Sequence, residues 1–313
     1  MAVAVITPKA LPLRLLRRLD LEAGSEPGRP AFLSSASGLI RTAGEICVVA
    51  DDELHLGRFT PDPTRPGKLM RLFDGDLPEK AKKRKKRKPD MEVLLQLPRC
   101  ADYPHGALLA LGSGSGPHRQ RGALVALGVQ GRVVGRPRSI AADSLFARLS
   151  QSFSDLNLEG GWIAAGQLHL LQRGNKGDSP NAVLHFDLKA VLRSLRRDRC
   201  LPDVEPLQVH ERDLGEVRGV PLCFTDASPL SDGGWLFSAV AENTANSYSD
   251  GPCVGAAIGR VDARGRMRWI KPVSPLYKIE GIDAQLHGGK LQALLVTDAD
   301  DPAVPASLLQ ADL

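Results

Sequence analysis

The sequence has little of what several protein classes require. Its five cysteines are scattered over 313 residues without a CxxC pair, which argues against a disulfide framework or a structural zinc site. No apolar run reaches the roughly 18 residues of a membrane helix. The first residues lack the apolar core of a signal peptide. These absences predict a soluble, cytoplasmic protein with reduced thiols.

The signatures of two common hydrolase classes are missing as well. The seven histidines form no HExxH pair, and the chain has no GxSxG pattern. Zinc-protease and serine-hydrolase chemistry are therefore not indicated. Aromatic residues make up only 4% of the chain, whereas 31 glycines and 23 prolines favour many short elements joined by turns.

Positive charge is concentrated in one short run. Eight lysines and arginines lie between residues 80 and 88, and without them the formal net charge of +5 becomes −3. No aromatic residue is interleaved with them to stack on bases, so nucleic-acid binding is not expected. We interpret residues 79–90 as a solvated basic loop. The alternative is a loop that recruits an anionic partner electrostatically.

Internal repeats are the strongest signal in the chain. Residues 173–188 align without a gap with residues 298–313. Glu159-Gly160 lies upstream of the first segment, and Glu280-Gly281 lies upstream of the second. Each unit reads as strand, tight turn, strand, longer loop and strand, with a fourth strand in most copies. Such a unit is typical of a β-propeller blade.

The number of units and the first residues together predict a closed ring. We count five units, or six if the long second and third units are split. The last unit lacks a fourth strand, which the stretch Leu11–Leu21 supplies. The prediction is an all-β chain that forms one five-bladed β-propeller over residues 1–313, closed by this N-terminal strand. Helical spacing of apolar residues adds short insertions near 143–151 and 188–197.

Candidate site residues follow from the repeat, because equivalent positions converge on the axis of a propeller. The starts of the inner strands and the ends of the second strands are unusually polar. The predicted ligand-binding residues are Glu159, Arg173, Asn175, Asp226, Glu242, Glu280 and Asp298. The predicted oxygen ligands for a hard cation such as calcium are Asp51, Glu159, Glu280 and Asp298. No nucleophile or general base is identified, so no catalytic residue is assigned.

A packing interpretation of the repeated Glu-Gly pair stays open. Here Glu159 and Glu280 accept backbone N–H groups from the neighbouring blade, and the glycine permits a close turn. Otherwise, clustered carboxylates must bind a cation, pair with Arg173 or hold raised pKa values. Raised pKa values are also what acid–base catalysis needs.

Several segments resemble a known family. They are Ser34-Ser35-Ala36-Ser37-Gly38-Leu39, Val48-Val49-Ala50-Asp51-Asp52, Leu111-Gly112-Ser113-Gly114-Ser115, Asn157-Leu158-Glu159-Gly160, Gln172-Arg173-Gly174-Asn175, Lys278-Ile279-Glu280-Gly281 and Thr297-Asp298-Ala299-Asp300-Asp301. From about Ser34 to the end, the chain resembles an uncharacterised family of bacterial propeller proteins. That family is distantly similar to the esterase-like phytase propellers.

The resemblance implies a metal-dependent phosphoesterase that binds a small anionic ligand or a metal ion, with calcium as the candidate cofactor. The alternative is a non-catalytic protein-interaction platform. The chain is expected to be a monomer that does not associate with membranes.

Overall fold

Short apolar-rich runs separated by turns fold into strands throughout the chain. The computed structural model describes residues 9–23, 30–177, 179–244, 251–287 and 290–313. The first residues, on which the signal-peptide expectation rests, lie outside this range up to residue 8. Two short strands, β1 (Leu11–Pro12) and β2 (Arg14–Arg18), precede the repeats.

Five antiparallel sheets follow, one for each repeat. The first two blades contain β3 (Ala36–Thr42), β4 (Glu45–Ala50), β5 (His55–Phe59), β6 (Lys68–Arg71), β7 (Met91–Leu97), β8 (Ala107–Gly112), β9 (Arg121–Ala126) and β10 (Arg138–Ala141). The third contains β11 (Leu158–Ala164), β12 (Gln167–Gln172), β13 (Asn181–Asp187) and β14 (Gln208–Arg212). A two-stranded hairpin follows, with β15 (Glu216–Val217) and β16 (Val220–Pro221).

The last two blades are completed from the start of the chain. They contain β17 (Cys223–Pro229), β18 (Trp235–Glu242), β19 (Cys253–Val261), β20 (Met267–Ser274), β21 (Ile279–His287), β22 (Lys290–Thr297) and β23 (Ser307–Asp312). Strand β2 pairs antiparallel with β23 and gives the fifth blade its fourth strand. Strand β1 adds to the fourth blade in parallel with β20. The five-bladed count and the N-terminal closure are thus confirmed.

The hydrophobic core is divided among the blade interfaces. Five clusters of buried apolar side chains lie between successive blades, and the fifth joins the last blade to the first. In that cluster Val296 and Leu308 of the fifth blade pack with Leu39 and Val48 of the first blade. The ring is therefore closed by apolar burial as well as by strand pairing.

The described residues contain three α-helices, each inserted between two consecutive strands of the ring. Helix α1 spans Ala81–Arg87, α2 spans Asp143–Ser152 and α3 spans Leu188–Arg197. Helices α2 and α3 occur where apolar spacing predicts helices, and their apolar faces join the core between the second and third blades. Asp187 caps α3 by accepting the N–H groups of Lys189 and Ala190. None of the helices in the described ranges is long and apolar enough to cross a membrane.

Candidate functional site

A β-bulge interrupts each of the five inner strands one or two residues after it begins. The bulged residues are Ser37, Glu92, Glu159, Thr225 and Glu280. A bulge adds an unpaired residue and re-aims its side chain. Four of these five side chains, all except that of Thr225, line one cavity at the end of the channel. We call these five positions the bulge ring.

Glycine follows the bulged residue in three of the inner strands and lets neighbouring blades approach. A Cβ atom on Gly38 would lie 3.0 Å from the Glu92 carbonyl oxygen, and one on Gly281 would lie 3.0 Å from the Ser37 carbonyl oxygen. A Cβ atom on Gly160 would lie 2.7 Å from the Cα of Asp226. These glycines therefore permit close approach of neighbouring blades, whereas the packing interpretation had assigned them to a close turn.

The ends of the second strands supply the next layer of polar groups. The backbone N–H groups of Asp51, Ser113, Arg173 and Asp298 donate to the carbonyl oxygens of residues two positions before a bulge, at 2.9–3.1 Å. These acceptor residues are Ser35, Asp90, Asn157 and Lys278. The same backbone hydrogen bond thus recurs in four blades and holds the ends of four second strands near the axis of the propeller.

These layers enclose an axial cavity of about 220 Å³. Its lining carries nine carboxylates and six basic side chains. The carboxylates are Asp51, Asp52, Asp90, Glu92, Glu159, Glu242, Glu280, Asp298 and Asp300; the basic residues are Arg84, Lys85, Lys88, Arg119, Arg173 and Lys278. Burial of so many charges is costly unless they are paired, so the pairing pattern shows which groups remain available.

On one side of the axial cavity, Asp51, Asp90 and Glu92 form an acidic cluster, with oxygens within 4.8 Å of one another. Lys88 pairs with Asp51 and, at 2.9 Å, with Asp90. Arg119 also pairs with Asp90, at 2.8 Å. One oxygen of Asp51 is buried without a hydrogen-bond partner in the described structure.

Glu92 is the least satisfied member of this cluster. Its side chain is only 8% exposed and faces the axial cavity. Among the described residues, no donor hydrogen-bonds to it and no basic group lies within 4 Å of its carboxylate. A buried carboxylate without a partner is costly, so Glu92 and the free oxygen of Asp51 mark a place for a positive ligand.

On the other side, Arg173 is shared among glutamates of three blades. Its guanidinium lies 3.2 Å from Glu159, 2.5 Å from Glu242 and 3.8 Å from Glu280. Asn157 also donates to Glu159, at 2.6 Å. These partners are side chains, so the backbone-acceptor part of the packing interpretation is wrong for Glu159.

Lys278 extends this network toward the rim. Its ammonium lies 2.5 Å from Asp300, 3.5 Å from Glu280 and 3.8 Å from Glu242. Both carboxylate oxygens of Glu280 are nevertheless buried without a hydrogen bond in the described structure. The basic groups on this side are occupied, and the unsatisfied groups are acceptors.

Burial dominates the ionisation of the axial cavity. It raises the pKa of Glu159 to about 8, although Arg173 opposes the shift. Burial likewise raises the pKa of Asp51 to about 6, against the opposing effect of Lys88. Burial and the adjacent Glu159 raise the pKa of Glu92 well above its usual value. Asp90 differs, because Lys88 and Arg119 together outweigh its burial and lower its pKa.

The basic run is not the solvated loop that the sequence indicated. Residues Ala81–Arg87 form α1, and Arg84 donates to Asp52 at 3.2 Å. Residues 84 and 88 lie one turn apart on one face, so both reach the carboxylates that follow β4. The loop prediction was wrong because these acidic partners are distant in sequence. The outer residues Lys82, Lys83, Lys86 and Arg87 are exposed.

Six of the seven predicted ligand-binding residues line the axial cavity, and so does Asp51. Asp226 does not belong to this lining. Its buried carboxylate accepts the backbone N–H groups of Ala227 and Ile282, at 2.7 and 3.0 Å. It therefore joins the fourth and fifth blades, as the packing interpretation proposed for the glutamates. Thr225 holds the repeat-equivalent position, one residue earlier.

Sequence reasoning did not assign nine of the fifteen charged residues of this lining. Four of the nine carry the argument below: Lys88, Asp90, Glu92 and Lys278. A signal for Glu92 was present, because Met91-Glu92 repeats the apolar-Glu pair of Leu158-Glu159 and Ile279-Glu280. Asp90 and Lys278 then follow as the residues two positions before the bulge. Lys88 has no such signal.

The opposite end of the channel is a second cavity of about 220 Å³, which we call the lower cavity. The later residues of all five inner strands line it, and most are apolar. Trp162 contributes an aromatic wall and stacks on His169, with ring centroids 4.6 Å apart. The ion pair of Arg41 and Asp283, at 3.1 Å, lies at this end.

Three solved structures with low similarity align over most of this chain. The glutaminyl cyclase of Myxococcus xanthus has 10% identity and a TM-score of 0.49, over 97% of this chain and 100% of that chain. An exo-1,5-alpha-L-arabinanase from a bovine ruminal metagenomic library has 9% identity and a TM-score of 0.43, over 90% and 93%. The WD40 beta propeller domain of Doa1 has 8% identity and a TM-score of 0.38, over 95% and 96%. These similarities are too low to transfer a function.

In sequence, one family model matches residues 32–313. Its description is "Family of unknown function (DUF6929)". No curated protein matches the chain.

Proposed function

Because the chain belongs to this family of unknown function, we propose its function from the geometry: the axial cavity binds a hard divalent cation such as calcium. The proposed ligands are Asp51, Asp90 and Glu92. The observation that carries the proposal is the carboxylate of Glu92, which is buried, faces the axial cavity and has neither a hydrogen-bond nor an ion-pair partner among the described residues.

The chemistry of the acidic cluster suits such an ion. Oxygens of three carboxylates already lie within 4.8 Å of one another, and their mutual repulsion favours a shared positive charge. Calcium takes six to eight oxygen ligands in flexible geometry. Three carboxylates supply several of these ligands, and the axial cavity has room for water to supply the rest.

The proposed ligand set differs from the one expected from the sequence. Glu159 and Glu280 lie close to Arg173 and Lys278, which already provide positive charge. Only Asp51 is common to both sets. We assign Glu159, Glu280 and their basic partners to the wall that contacts the rest of a ligand, together with Asn175, Glu242 and Asp298.

Phosphoesters are the substrate class we propose for this site. A divalent cation in the acidic cluster would polarise a phosphoryl oxygen and lower the pKa of a bound water. To contact the remaining oxygens, Arg173 and Lys278 across the axial cavity would exchange part of their pairing with the glutamates of this wall. The resemblance proposed from the sequence motifs implies the same class, and hydrolysis of phosphomonoesters by the calcium-loaded protein is the reaction to assay.

The first experiment is a calcium titration of chelator-treated protein that follows the melting temperature. A ligand that binds only the folded state stabilises it by about 2.7 kcal/mol at 100 times its Kd. We expect a rise at micromolar to millimolar calcium in the wild type and in Glu211→Gln, an exposed control. Glu92→Gln is expected to need at least ten times more calcium. No rise in the wild type would refute the proposal.

A second candidate function is an interaction platform, favoured by the exposed face of α1. Lys82, Lys83, Lys86 and Arg87 form a basic patch beside the axial cavity without an acidic residue in the helix. Such a patch attracts acidic partners at low salt. We expect salt-sensitive capture of an acidic partner that is lost when these four residues are changed to glutamate. Unchanged capture would exclude the patch.

A further inference from the structure

The ammonium group of Lys88 occupies the place where a cation would bind. It contacts Asp51 and Asp90, two of the three carboxylates of the acidic cluster. The lysine side chain is only 13% exposed. The chain thus carries its own positive charge into the site, while Glu92 and one oxygen of Asp51 remain without a hydrogen bond among the described residues.

Polar contacts of its inner face anchor the basic segment, which we define as residues 80–88. Arg84 pairs with Asp52 at 3.2 Å and with Glu53 at 3.7 Å, and it donates to the carbonyl oxygen of Asp52 at 2.8 Å. Arg119 donates to the carbonyl oxygen of Lys85 at 3.3 Å. The helix itself is short, with seven residues and no acidic side chain. Isolated helices of this length are unstable in water, and like charges at i, i+4 repel. Its helical state therefore depends on docking at the acidic cluster.

A divalent cation and the Lys88 ammonium require the same oxygens. Two positive groups within one small acidic cluster repel each other, and a divalent ion neutralises more of its charge than an ammonium does. Lys88 is tethered on a flexible stem at the end of α1 and can leave without disturbing a blade.

We propose that the basic segment is an intramolecular competitor of the divalent cation. Binding of the cation to Asp51, Asp90 and Glu92 displaces Lys88 and releases residues 80–88 from the mouth of the axial cavity. This inference rests on the proposed function and adds its regulation. Release leaves the cation accessible to an anionic ligand and converts a docked helix into a free basic segment.

The test compares the calcium response of the wild type with those of two lysine variants. Lys88→Met removes the competing ammonium and keeps the length of the side chain. Lys86→Met removes a charge from the exposed face of the same helix. We expect the calcium midpoint of Lys88→Met to fall at least tenfold and that of Lys86→Met to stay within twofold of the wild type.

Each other outcome has a distinct meaning. Equal midpoints in Lys88→Met and the wild type would overturn the competition and leave cation binding intact. A rise in the Lys88→Met midpoint would also overturn it. No calcium response in any protein would refute the proposed function itself. Should Lys88→Met fail to fold, Arg84→Gln weakens the anchor and keeps Lys88, with an expected fall of about twofold to fivefold.

A second measurement reports on the segment directly. Two amides of the basic segment, those of Arg84 and Lys88, bond to the carbonyl oxygens of Lys80 and Arg84 in the docked helix. We expect saturating calcium to accelerate hydrogen exchange of residues 83–88 at least tenfold in the wild type and to leave it unchanged in Glu92→Gln at the same calcium concentration. Unchanged or slower exchange in the calcium-loaded wild type would overturn the displacement.

Discussion

All five inner strands line the lower cavity and four of them also line the axial cavity, yet the two cavities, which are equal in volume, differ in charge. The axial cavity contains nine carboxylates and six basic groups from its lining residues. The lower cavity is lined mostly by apolar side chains, and the ion pair of Arg41 and Asp283 belongs to its lining. A strand in a propeller is therefore not uniformly structural or functional along its length.

The difference lies in the local backbone. At the axial cavity each strand has a bulge, which releases one residue from the pleated alternation, and in four strands this residue lines the axial cavity. Beyond the bulge the strands pair regularly, and their alternation places apolar residues against the neighbouring blades. The bulge ring thus concentrates charge at one end without loss of packing at the other.

Of the changes that test the difference between the two ends, removal of Arg173 is expected to have the largest effect on stability. Arg173→Met leaves three buried glutamates without their shared cation, and loss of one partner from a buried ion-pair network costs about 3–5 kcal/mol. Arg41→Met, at the lower cavity, removes the cation from a single carboxylate, which still accepts the backbone N–H of residue 41, and is expected to cost less, about 1–3 kcal/mol. Urea unfolding at pH 7 measures both losses. Equal losses would show that the two ends are energetically alike.

A rise in pH is expected to lower the free energy of unfolding through Glu159 of the axial cavity. The pKa of Glu159 is raised to about 8 from 4.5. Its stabilising contribution is therefore complete below pH 4.5 and is lost as the pH rises through 8, by at most about 1.4 kcal/mol per pH unit. Glu159→Gln keeps a neutral side chain, so its unfolding free energy is expected to fall less steeply between pH 6 and 9. The Glu211→Gln control is expected to follow the wild type.

A fall in pH is expected to lower the free energy of unfolding by a smaller amount. The titrating group is His169, which stacks on Trp162 of the lower cavity. Burial and the neighbouring His185 lower the pKa of His169 from 6.5 to about 4. Stability is therefore complete above pH 6.5 and falls as the pH drops toward 4, by roughly 1 kcal/mol per pH unit. His169→Phe keeps an aromatic ring against Trp162 but has no imidazole to protonate. The free energy of unfolding of this variant is therefore expected to fall less steeply as the pH drops from 6.5 toward 4. His210→Gln, on the exposed outer strand, is the control; an identical change in both variants would contradict the assignment.

Much of the fold was predictable because short sequence patterns of turns and strands encode the repeat. Blade number, ring closure and the convergence of Glu159, Arg173 and Glu280 all follow from turn and strand periodicity. Asp226 was misassigned by one residue, since a bulge changes the register and one position decides which face a side chain occupies. Its neighbour Thr225 instead donates to the carbonyl oxygen of Ile279 at 2.8 Å.

The docking of α1 was not predictable from local pattern. Its run of lysines and arginines has the composition of a solvated loop, and nothing within it indicates a buried end. What fixes Lys88 in place is a pair of carboxylates that flank strands of two different blades, Asp51 after β4 and Asp90 before β7. Long-range charge complementarity of this kind appears only when the ring has brought those strands together.

Closure of the ring also determines when the fifth blade can be completed during protein synthesis. Strand β2 spans residues 14–18 and is synthesised long before its partner β23, which spans residues 307–312. At roughly 5–20 residues per second, the ribosome needs on the order of 15–60 s to make the intervening chain. Throughout that interval the two edges that will meet stay open. A chain that stops before β23 keeps both edges unpaired and is a ready substrate for chaperones and proteases.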